Sequence, residues 1–203
     1  DEGFSGGCFG QSKVLFENEL KGVNYGSRFI PENWIGTSGM LELFAGATHP
    51  DSISEMLIKH VSLCDMGTAA DAKQRMSAFL DQNIIPEHFQ RMAQLGFNVV
   101  RLPLGYWNLI NLPGASTPSG PRGSASARYR AIQSIMQPAS GYNKWIFRVF
   151  EYAQQNGLKV LMDLHGAPGG QAGNAFTGCN QGMNYFDTSW NRHLAVRSVE
   201  EMA

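Results

Sequence analysis

The chain has 203 residues, 43% hydrophobic and 16% charged, which supplies enough apolar material for a packed core and excludes a compositionally disordered chain. Its 16 Lys and Arg against 17 Asp and Glu leave a formal net charge of −1, so there is no electrostatic footprint for nucleic acid or for an anionic membrane surface, and neutral substrates fit better. No run approaches the roughly 20 apolar residues that a membrane span requires.

The opening DEGFSGGCFG lacks the basic and apolar regions of a signal peptide, and the start at Asp1 reads as a processed terminus or, preferably, a cut through a longer chain. Cys8, Cys64 and Cys179 are too few and too scattered for a disulfide framework, and none has zinc-site spacing. Buried unpaired thiols are the preferred reading, with one bridge plus a free thiol left open.

In chain order, LKGVN over Leu20–Asn24 reads as a short strand feeding the turn-rich stretch YGSRFIPENWIG. Residues 51 to 83 place Met56, Leu57, His60, Val61 and Cys64 at helical spacing, which predicts one or two covering helices. Pro86 opens the clearest helix, with Phe89, Met92 and Ala93 on one face and a stop at Gly96, and the strand NVVRLPL follows. Residues 111 to 141, rich in Gly, Pro, Ser and Ala, predict a long inserted loop with a short helix around Tyr129 to Met136. A variable surface insertion is the first reading of it and a lid over a cleft the second. Trp145, Ile146, Val149, Phe150 and Ala153 then mark a second amphipathic helix, which stops at Gly157 before the strand KVLMDLHG. Helices alternating with short apolar strands imply parallel β/α units, because a parallel connection needs a crossover.

In such architectures reactive groups sit at the carboxyl ends of the strands. NVVRLPL ends with Arg101 and leads through GYW to Trp107. Along KVLMDLHG, alternation places Leu161, Asp163 and His165 on one side and Val160, Met162 and Leu164 on the other. The polar pair is expected to face away from the helices. His165 is expected to bind a ligand rather than serve as a structural histidine, given the strand end, Asp163 and the Gly166–Gly170 loop. Arg101 is expected to hold a neighbouring carboxylate, which is compatible with a site role. Glu32 is balanced between a solvated surface and sugar binding, and Trp34 between a core aromatic and a stacking platform. Asp163 and His165 without a third ligand are a weak metal pair, so no metal and no organic cofactor are expected.

Three stretches, KGVNYGSRFIPENWI, EHFQRMAQLGFNVVRLPLGYW and GLKVLMDLHGAPGGQAG, together resemble glycoside hydrolase family 5, in its fungal-type exo-1,3-β-glucanase branch. The resemblance implies a (β/α)8 TIM barrel of which residues 1–203 are the N-terminal portion, with about three β/α units. It implies that Arg101 and His165 line the catalytic pocket and that Glu32 contacts the terminal sugar. With the strand-end argument, the expected substrate-binding set is Asn24, Glu32, Arg101, Trp107 and His165. Three departures stand out: Ser27 and Arg28 occupy positions where relatives usually have a tryptophan and a small residue, NAFTG lacks the acidic residue often found after the Gln171–Gly173 turn, and the inserted loop after Trp107 is longer than the family leads one to expect. A retaining glycosidase needs two carboxyl groups about 5 Å apart, and the family places them after later strands. Asn18-Glu19 precedes the first strand and cannot serve, so both are expected beyond Ala203, where the chain stops in a helix. The implied parent enzyme hydrolyses β-glucan by double displacement outside the cell or in the cell wall, and the isolated chain is expected to be inactive. The alternatives are a truncated carbohydrate-binding protein without catalysis and a cell-wall glucan transglycosylase.

Overall fold

The computed structural model describes residues 19–32, 35, 37–44, 69–110, 137–172, 177 and 189–203. Trp34, the three cysteines, most of the predicted insertion and the predicted helical stretch 51–68 lie outside them.

Three strands form a parallel sheet in sequence order: β1 (Gly22–Asn24), β2 (Val99–Gly105) and β3 (Lys159–Gly166). Between β1 and β2 lie α1 (Met40–Leu43), α2 (Ala69–Asn83) and α3 (Pro86–Gln94). The one-turn helix α4 (Tyr106–Leu109) follows β2, α5 (Asn143–Gln155) precedes β3, and α6 (Ser189–Glu200) comes last.

Both helix–glycine–strand units form where the sequence predicts them. Pro86 occupies the first turn of α3, and Gly96 and Gly157 take φ values of 82° and 68° after their helices, a left-handed geometry in which glycine pays no Cβ penalty. The apolar alternation of β2 then closes one face of the sheet: Val100, Leu102 and Leu104 are fully buried with Phe89 of α3 and Trp145 and Val149 of α5. Ala72, Met76, Phe79 and Leu80 bury one face of α2 in the same cluster. Phe150, expected on the apolar stripe of α5, lies at its edge and is 37% exposed.

Polar contacts fasten the layers. Asp81 of α2 accepts hydrogen bonds on Oδ1 from Trp145 Nε1 (3.0 Å), Arg148 (2.9 Å) and Lys144 (3.3 Å), which ties α2 to α5. At the amino ends of the strands, Asn98 accepts from the Lys21 N–H and donates to the Glu19 carbonyl, both at 2.8 Å, while its own carbonyl accepts from the Lys159 N–H. One residue therefore aligns the entry of all three strands.

Trp107 departs from expectation. It is 0% exposed and belongs to the core, so it does not present a ring face to a sugar. Its indole lies against Gly105 and Gly166, which pair across β2 and β3. A Cβ at Gly166 would sit 2.6 Å from the ring, and one at Gly105 would collide with it outright. The one-turn helix that carries Trp107 is held at its start by Asn108, whose Oδ1 accepts from the Gly105 N–H at 2.6 Å.

Candidate functional site

The strand register places Asn24 opposite Arg101 and Arg101 opposite Leu161, so side chains at these positions and at Asp163 project from the face of the sheet that, among the described residues, the helices do not cover. Leu161 is 56% exposed there. At the carboxyl end, Leu104 pairs with Leu164 but Gly105 pairs with Gly166, so His165 is an extra residue in a bulge. Bulges re-aim side chains, and this one brings His165 Nδ1 to 3.0 Å from Asp163 Oδ2.

Arg101 joins the three strands. One guanidinium nitrogen donates to Asn24 Oδ1 at 3.1 Å and the other to Asp163 Oδ2 at 2.6 Å. Arginine has donors only, so Asn24 turns its oxygen to Arg101 and its amide NH2 away from it. The same Asp163 oxygen lies 3.0 Å from His165 Nδ1, and the Arg101 nitrogen that donates to Asp163 lies 3.3 Å from that ring nitrogen, so the three side chains meet at one point. The loop beyond is closed by Gln171, which accepts from the Ala167 N–H at 2.9 Å and donates to the His165 carbonyl.

Glu32 joins this cluster from the loop after β1. A Cβ at Gly26 would lie 2.7 Å from Asn24 Nδ2 and 3.4 Å from Glu32 Oε2, so the bare glycine keeps a gap between amide and carboxylate. Burial raises the Glu32 carboxyl above its ordinary value, against the opposing pull of His165, a hydrogen bond with the Ser27 main chain, and Arg101. The site is therefore a polar floor of fixed donors and acceptors with one carboxylate whose acid form burial favours, an arrangement suited to hydroxyl groups of an uncharged ligand.

Of the five residues predicted to bind substrate, the structure assembles Asn24, Glu32, Arg101 and His165, and moves Trp107 into the core. Asp163, which sequence alternation had placed on this face, is the hub of the network. Arg28, noted only as a departure, is structural here: it donates through Nε to the Asn83 carbonyl (3.0 Å) and stacks over the Tyr25 ring at 4.8 Å. Among the described residues no group of three or more His, Cys, Asp or Glu is arranged to hold a metal, and no helix is long and apolar enough to cross a membrane.

Sequence comparison finds a glucan 1,3-β-glucosidase of Blumeria graminis, 31% identical over 163 residues, covering 78% of this chain and 30% of that protein. A probable glucan endo-1,6-β-glucosidase B of Aspergillus flavus is 30% identical over 161 residues, covering 79% of this chain and 34% of its own length. The chain is a relative of the family 5 glucan 1,3-β-glucosidases. It spans about a third of the length of the curated relatives it matches. No family model matches it. Among solved structures, rutinosidase from Aspergillus niger superposes with a TM-score of 0.60 at 15% identity, over 90% of this chain and 43% of the rutinosidase, which is a likeness of fold.

Proposed function

We propose that the chain is part of a secreted or cell-wall glycosidase that hydrolyses β-glucosidic bonds in β-glucan, 1,3-linked and attacked from the chain end, with retention. The observation that carries this reading is the Arg101-centred network. Asn24, Asp163 and His165 converge on Arg101 at the carboxyl ends of parallel strands, in a chain related to glucan glucosidases. In this reading β1 to β3 are consecutive strands of a (β/α)8 barrel, and the face bearing Arg101 turns towards its interior. Asn24, Glu32 and His165 bind hydroxyl groups of the terminal sugar, and Arg101 with Asp163 orients them. The acid/base and the nucleophile, a pair about 5 Å apart in retaining enzymes, come from later strands beyond Ala203. A 1,6 linkage is the second reading, favoured by the name of the Aspergillus flavus relative.

The test is glucose release by the full-length protein from a 1,3-β-glucan and, separately, a 1,6-β-glucan. Wild type is expected to act on the first, with kcat/KM lowered roughly 100-fold in His165→Ala and Arg101→Ala, as for loss of a hydrogen bond that involves a charged group. Wild-type rates in both variants would remove the site assignment. Release from the second glucan alone would replace the linkage, and activity in the 203-residue chain by itself would overturn the placement of the two carboxylates.

A further inference from the structure

Ser27 takes a φ of 56°, the only non-glycine residue with positive φ among the described residues, and it is 1% exposed. A left-handed conformation disfavours any residue with a Cβ, and an observed outlier of this kind is a reason to look for a function. The Ser27 hydroxyl lies 3.1 Å from both the N–H and the carbonyl of Glu32: it accepts from the first and donates to the second. Its neighbours hold it from outside the site, since Arg28 donates to the Gly26 and Asn83 carbonyls at 3.0 Å and the Tyr25 hydroxyl donates to Asn83 at 2.8 Å. The residue before it, Gly26, has the Asn24 amide and the Glu32 carboxylate on its open side, at 2.7 and 3.4 Å from where a Cβ would stand.

We propose that Ser27 is a positioning residue: its hydroxyl suspends the Glu32 main chain so that the carboxylate is presented beside Asn24, where a sugar hydroxyl binds. The proposal rests on the reading of Glu32 as sugar-binding. A glycine at this position would satisfy the backbone but could not make the clamp, so the strained serine is retained for its oxygen.

The experiment is steady-state kinetics of the full-length protein on a short 1,3-linked β-glucan oligosaccharide, comparing wild type, Ser27→Ala, Ser27→Gly, Glu32→Gln and the Ser27→Ala/Glu32→Gln double variant. Loss of the clamp is expected to lower kcat/KM about tenfold, mainly through KM, in both Ser27 variants. Ser27→Gly relieves the backbone, so its melting temperature should not fall although its KM rises, a split that a purely structural serine would not give. In the double variant the Ser27 change should add less than about twofold to the Glu32→Gln effect, because both act through one carboxylate. Wild-type KM in Ser27→Gly, or full additivity in the double variant, overturns the proposal while Glu32→Gln is impaired. Wild-type kinetics in Glu32→Gln instead overturns the sugar-binding reading and the proposal with it.

Discussion

The two faces of the three-stranded sheet are held by different physics. On the helix side Val100, Leu102 and Leu104 are fully buried among aromatic and aliphatic side chains. On the opposite side Leu161 is 56% exposed, and order comes from Arg101, Asn24, Asp163 and His165 fastening one another. Packing is non-directional and tolerates exchange of similar volumes. A network in which an arginine, a histidine and one carboxylate oxygen meet at a single point tolerates neither loss nor exchange, and that is where a site can hold fixed geometry. The same contrast appears in two carboxylates. At Asp81, between α2 and α5, burial would raise the acid, but hydrogen bonds from Arg148, Trp145 and Lys144 outweigh it and hold it below its usual range. At Glu32 burial prevails and raises it. One acid is more than compensated by its donors, and the other is desolvated more than its neighbours compensate.

Three substitutions sharpen this contrast when the full-length protein is followed by chemical denaturation. The largest loss is expected on the closed face: Leu102→Ala removes a fully buried side chain and should cost about 2–5 kcal/mol. Asp81→Asn should cost about 1 kcal/mol or less at neutral pH, discounted because the carboxylate is half-exposed. Its depressed acid stabilises the fold above the ordinary carboxylate value and loses that contribution as pH falls through the folded value, so wild type and variant should converge in acid. Glu32→Gln carries the smallest effect and the opposite sign. A raised acid favours the fold at low pH and loses that advantage as pH rises through its folded value, so the variant should be more stable than wild type at neutral pH, by less than about 1 kcal/mol, and indistinguishable from it in acid. A Glu32→Gln protein less stable than wild type at pH 7 would mean that the carboxylate is fully satisfied and that the contrast between the two acids does not hold.

Much of the scaffold was legible because its signals are local. Pro86, Gly96 and Gly157 mark helix ends through backbone geometry alone, and period-2 alternation put Asp163 and His165 on one face. Trp107 was misread because an aromatic after a strand end is equally compatible with a cleft and with the core. The deciding signal, a pair of glycines at matching ends of β2 and β3 that clears room for an indole, exists only once the register is known. The one-turn helix carrying it is too short to show periodicity and depends on a contact from Asn108. The Ser27 clamp was illegible for a related reason: serine has no propensity for the left-handed region, and its partner lies five residues on in a stretch without repeat.

Arg101 also has a consequence for the order in which the protein matures. Its partners lie 77 residues before it and 62 after it. The strand bearing Asn24 has only three residues, so it gains little from pairing until the intervening helices have closed that long loop. The Arg101 cluster should therefore be among the last features to assemble when the protein refolds, and a kinetic experiment would find helical circular dichroism returning before the proposed binding of a glucan ligand.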